Sequence, residues 1–156
     1  MKELLEYRVK LIERLSEASH EFQTACLAIK DPFEKVDGEW TYHQIASHIR
    51  DVSKLVYGMR IYQTLHEDNA EFKAFDADAW MAEHYNKDEP LSGILDGFLA
   101  NIEELCKTLR ELPREAWSRE SRHETMGGGL TSQLWLERNL QHIEEHLQTL
   151  KKAQNK

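Results

Sequence analysis

No apolar run in the chain approaches the roughly 20 residues that a membrane-spanning helix needs, so no transmembrane segment is expected. Cysteine is scarce: Cys26 and Cys106 lie far apart, outside any Cys-x-x-Cys spacing, each beside apolar residues in a helical pattern. They read as buried, reduced thiols; a disulfide between them would need an oxidising compartment that nothing else in the sequence suggests. Basic excess is missing as well. Lys and Arg number 20 against 28 Asp and Glu, a formal net charge of −8, and no basic patch stands out. A surface that acidic repels phosphate backbones, which disfavours nucleic acid as a partner. The opening Met1-Lys2-Glu3-Leu4-Leu5-Glu6 has acidic residues where a signal peptide carries its apolar stretch, so a cytoplasmic protein is expected.

What is present suits one folded domain. At 156 residues, with 40% hydrophobic and 31% charged, the chain is too apolar for disorder and long enough to bury a core. Apolar residues recur at helical spacing in four stretches, and no strand-like alternation competes with them. Leu4, Leu11, Leu15, Ala18, Phe22, Ala25 and Ile29 form the first stripe, which Lys30-Asp31-Pro32 ends. The second helix is the best marked. Thr41 and Gln44 fit a capping box, with Trp40 and Ile45 placed as a hydrophobic staple, and Ile45, Ile49, Val52, Val56 and Met59 continue inward to about Leu65.

From His66 to Glu89 the pattern weakens into a long connection with room for one short helix. Pro90 opens a third helix carrying Leu91, Leu95, Phe98, Ile102, Leu105 and Leu109, and Pro113 stops it. Trp117 falls in the next loop. Gly127-Gly128-Gly129 gives free dihedrals before a fourth helix with Leu136, Leu140, Ile143, Leu147 and Leu150. Helices over about 2–29, 42–65, 91–111 and 131–152 predict an all-α fold, a four-helix bundle in one domain over 1–156 with two long connections.

Of the eight histidines, His20, His66, His84 and His123 fall on polar faces or in loops, and His43 is read as surface. His48 lies one turn from both Ile45 and Val52, beside the buried stripe. His142 and His146, spaced i, i+4, sit on one side of helix four about 5–6 Å apart at Cβ, flanking Ile143 and Leu147. Imidazoles beside a core need partners for their nitrogens. A histidine in such a place is commonly just hydrogen-bonded, but two facing helices each presenting histidine inward is how bundles build metal sites.

Two rivals fail on the residues. The Glu-x-x-His strings of a di-iron bundle, Glu17 to His20 and Glu120 to His123, lie on a polar face and in a loop. The zincin motif needs glutamate after its first histidine, where this chain has Ile143.

The run Trp40-Thr41, then His48-Ile49-Arg50-Asp51, then His142-Ile143-Glu144-Glu145-His146-Leu147-Gln148-Thr149-Leu150 resembles the DinB-like metal-binding bundles. That family includes bacillithiol S-transferases and mycothiol-dependent maleylpyruvate isomerases. The resemblance covers nearly the whole chain in order and spacing. It implies one divalent ion, often nickel or zinc, on His48, His142 and His146, and homodimers as a common state. One departure is Asn101, near which family members often place an arginine.

Three imidazoles leave positions open on a divalent ion, the arrangement of a catalytic site. The expectation is therefore a transferase using a low-molecular-weight thiol, or a hydrolase, with no nucleophile on the protein. The alternative is a non-enzymatic metal- or small-ligand-binding dimeric bundle. Asp51 could orient a ligand ring, though an ion pair with a neighbouring base is the simpler role. Asn139 and Trp135, one and two turns before His142, could line the cavity, with Trp135 more simply core.

Overall fold

The computed structural model describes residues 1–155. Four rods form the bundle: α1 (Lys2–Leu27), a second rod running from α2 (Tyr42–Val52) through a π-helical turn (Ser53–Gly58) into α3 (Met59–His66), α5 (Leu91–Arg110) and α6 (Ser132–Gln154). Between them lie β1 (Ala70–Phe72), the short α4 (Ala77–His84), a 3-10 turn (Arg114–Ser118), β2 (Glu120–His123) and β3 (Gly127–Thr131). α1 packs on α5 and α6, α2 packs on α5, and α3 packs on α6, so the two histidine-bearing rods are neighbours. No helix among the described residues is long and apolar enough to cross a membrane.

The α6 stripe of Leu136, Leu140, Ile143, Leu147 and Leu150 is buried, and Phe22 meets Phe98 edge-on at 5.8 Å inside the bundle. Cys26 and Cys106 are free and buried, their thiols pushed up to about 12 and about 11, with loss of solvation the largest cause. Neither is a nucleophile at neutral pH. The capping box forms in full: Thr41 accepts from the Gln44 amide while the Gln44 side chain accepts from the Thr41 amide.

Two expectations fail here, each for a local reason. The stripe of the second rod does not reach Met59, which is 44% exposed, while Ile61 is 1% exposed. Each α-helical residue advances about 100° around the axis, and the wider π turn holds one extra residue, so later positions fall back by about that angle. Ile61 thereby takes the place an unbroken helix would give to position 60. The sequence also gives no warning of the three-stranded sheet, in which β1 pairs parallel to β2 and β2 antiparallel to β3. Its strands span three to five residues, and β3 opens on three glycines, too short and too bare for alternation to register. Gly127 and Gly129, at φ +88° and +73°, turn the chain between β2 and α6.

Gly58 closes the π turn. A Cβ there would stand 2.8 Å from the Ser53 carbonyl oxygen, a backbone atom that cannot move aside alone. Gly58→Ala is therefore expected to cost about 1–3 kcal/mol, the usual range for overpacking. Urea denaturation reads this; an unchanged midpoint would mean that the turn does not depend on the missing side chain.

Candidate metal centre

His48 comes from α2, one helical turn beyond the apolar start of that rod, and His142 and His146 from successive turns of α6. Packing of the rods brings the three rings together. Their centroids lie 5.0 Å (His48 to His142), 5.0 Å (His48 to His146) and 4.7 Å (His142 to His146) apart. One nitrogen from each lies within 4.8 Å of the other two, and His48 Nε2 is 3.1 Å from His142 Nε2. Bonds of about 2.0–2.1 Å to zinc would put two ligand nitrogens about 3.4 Å apart in a tetrahedral site, so the donor set fits a first-row divalent ion with little adjustment. No fourth His, Cys, Asp or Glu joins the group among the described residues.

The rings are held neutral. Burial, then the neighbouring His146, lower the His48 pKa to about 4; burial, then His146 and His48, lower that of His142 to about 3; burial lowers His146. Neutral imidazole is the form that donates to a metal. Two aromatic rings wall the site: Trp40 stands edge-on to His48 at 4.9 Å, and Tyr57 lies 5.9 Å from His142. Along α6 three buried polar atoms have no protein partner, His142 Nδ1 and both amide atoms of Asn139. A histidine that binds metal through Nε2 carries its proton on Nδ1 and needs an acceptor there. Asn139 is fully buried one turn before His142 on α6.

The other residues singled out in the sequence take different parts. Asp51 does not bond a ligand ring: its Oδ1 accepts from Arg50 Nε at 3.0 Å and its Oδ2 from Trp80 Nε1 at 3.1 Å, which ties α4 to α2. With both oxygens engaged, it reaches His48 only through its charge. Trp135 is fully buried core, and its Nε1 donates to Ser121 Oγ at 2.8 Å.

Neither Glu-x-x-His string builds a site. His20 is exposed on α1, and His123 packs 6.4 Å from Trp135.

Two histidines expected at the surface are buried. His43 is 1% exposed because the loop before α5 folds over it: Nε2 donates to the Glu89 carbonyl and Nδ1 accepts from the Tyr85 hydroxyl, each at 2.6 Å. The helical face of α2 alone could not reveal that cover. His123 is buried because β2 alternates, and its Nδ1 accepts from the Thr125 and Met126 amides.

Tyr57 was missed for a related reason. Nine residues after His48, it would stand about half a turn away on an unbroken α-helix, and the π turn swings it back toward His142.

A helical bundle in which three imidazoles from two rods converge, with no fourth His, Cys, Asp or Glu among the described residues, defines a class: bundles with a three-histidine site suited to a divalent metal. The family follows from the sequence as a whole. The chain belongs to the DinB superfamily, whose profile matches residues 1–150. Among curated proteins none matches it. Among solved structures it is similar to YfiT from Bacillus subtilis, described as a probable metal-dependent hydrolase with an unusual four-helix bundle topology. The TM-score is 0.82 at 22% identity, over 96% of this chain and 87% of that one. At that identity the likeness shows the fold.

Proposed function

We propose that His48, His142 and His146 hold one divalent ion, zinc or nickel, and that the protein is a metal-dependent hydrolase. The observation that carries this is the convergence of three neutral imidazole nitrogens within 4.8 Å, with no further His, Cys, Asp or Glu joining them among the described residues. An ion so held supplies a Lewis acid with open positions, at which the pKa of a bound water or thiol falls toward neutrality. The chain's own residues do the rest. Burial keeps the three rings unprotonated, Trp40 and Tyr57 wall off one side of the centre, and Asn139 offers an amide to a group bound beside His142. The description of YfiT supports hydrolysis. The resemblance to bacillithiol S-transferases supports a thiol as the alternative nucleophile, transferred to an electrophile at the same centre.

The test uses purified protein loaded with one equivalent of zinc or nickel. One arm offers p-nitrophenyl esters, and the other offers bacillithiol, mycothiol or glutathione with chlorodinitrobenzene. Turnover in the ester arm that a chelator removes and added metal restores is the expected result. Turnover confined to the thiol arm would replace hydrolysis by transfer. Silence in both arms with metal bound would leave the metal-binding module of the non-enzymatic reading.

A further inference from the structure

Arg60 stands out as a charge with nothing to balance it. It projects from the first turn of α3 and is 9% exposed, yet no carboxylate of the described residues lies within ion-pair distance. Its guanidinium carbon sits 4.7 Å from the centre of the Trp135 ring, 5.8 Å from that of Phe72 and 6.0 Å from that of Tyr57. Its one hydrogen bond runs from Nη2 to the Lys73 carbonyl at 3.2 Å. Aromatic faces and a single carbonyl engage part of the guanidinium, and its remaining nitrogens are not sealed from solvent, so they stay open to an incoming anion.

The neighbourhood sharpens this. Arg138, on α6 one turn before His142, also has no ion-pair partner among the described residues, and it is near enough to Arg60 that the two charges oppose each other. The acids close by are engaged elsewhere: Glu124 accepts from the Ala74 amide and Glu145 from the Gln141 side chain. Arg138 is exposed and solvated, so it adds positive potential beside Arg60 at no cost to the fold.

Arg60 also lines an open cavity of about 240 Å³ whose other walls include Leu55, Val56, Phe72 and Phe75, with a second cation, Lys73, at its edge. Tyr57 connects this corner to the metal centre, its ring 6.0 Å from the guanidinium carbon on one side and 5.9 Å from the His142 ring on the other.

We propose that Arg60, supported by Arg138, is a carboxylate-binding subsite that holds the acid group of a small, largely apolar organic acid. A guanidinium fork matches a planar carboxylate bidentately, and the rings of Phe72 and Phe75 beside it give a hydrocarbon body a surface to lie on, though Lys73 and Arg60 make part of the wall polar. The role in catalysis rests on the hydrolase reading: an acid anchored at Arg60 would place its reacting end beside Tyr57 and the three histidines. The binding of the acid group does not rest on it.

The experiment is therefore a binding measurement on metal-free protein, with tryptophan fluorescence or calorimetry as readout. The probes are 3-phenylpropionate, its neutral isostere 3-phenylpropanamide, and inorganic phosphate. The carboxylate is expected to bind and the amide not. Arg138→Gln, at an exposed position where folding is not at stake, is expected to weaken the carboxylate roughly fivefold, and Arg60→Met roughly tenfold or more, the scale of a charge-assisted hydrogen bond. Equal binding of acid and amide, or no change in either variant, overturns the subsite. Phosphate competing as well as the carboxylate overturns the organic-acid assignment. Zinc uptake by Arg60→Met and probe binding by His48→Ala separate the two readings, since each variant is expected to lose one ligand and keep the other.

Discussion

His142→Ala is expected to lower zinc affinity more than about a hundredfold, beyond the roughly 10–100-fold that partners outside the coordination shell carry. His142 belongs to both short contacts of the group: its Nε2 stands 3.1 Å from that of His48, and its ring is the nearest to His146. Two imidazoles left behind cannot enclose an ion.

The same substitution should leave the metal-free protein at least as stable as the parent. In the absence of metal His142 is an expense: its Nδ1 is buried without a partner, and its proton affinity is depressed by burial and by two neighbouring rings. A site that costs the fold and serves the ion is the signature of function placed against stability. Equilibrium dialysis against zinc reads the first effect and thermal unfolding of the chelated protein the second. Near-stoichiometric, tight zinc retained by His142→Ala would remove that residue from the site.

Acid is expected to destabilise the metal-free protein steeply below neutrality. In the folded state His48 takes up a proton only near pH 4 and His142 only near pH 3, against the usual 6.5 once unfolded. Above pH 6.5 the rings are neutral in both states, and their titration carries no penalty for the fold. As pH falls from 6.5 toward 4 the unfolded chain gains protons that the folded chain refuses, so stability drops. His48 alone accounts for on the order of 3 kcal/mol across that window. Bound zinc should act in the same direction, because the ion and the proton compete for the same nitrogens. Urea midpoints of the chelated protein at pH 7 and pH 5 measure the slope. His48→Gln, which cannot titrate, should flatten it. A parent protein whose midpoint does not move between those pH values would show that the rings are not buried neutral.

Much of this was legible in the residues. The bundle rods follow from stripes such as Leu136 to Leu150, and the start of α2 follows from the Thr41 and Gln44 cap, because both signals are local. The three histidines were legible because helical spacing fixes which face each occupies, and only the packing of two rods was needed to join them.

What stayed hidden depends on contacts between distant segments. His43 is buried by Tyr85 and Glu89, over forty positions downstream, and nothing in α2 announces them. The π turn leaves only Gly58 as a trace, yet it sets where Tyr57 and Ile61 point. Nothing in the sequence singles out Arg60, whose surroundings come from Phe72 of β1 and Trp135 of α6, far away along the chain.

One measurement bears most directly on the central claim: a crystal structure of zinc-loaded protein with anomalous scattering recorded at the zinc edge. A single peak per chain bonded to one nitrogen each of His48, His142 and His146, at about 2.0–2.1 Å, is the predicted result. A peak elsewhere, or three rings too widely spread to share one ion, would contradict it.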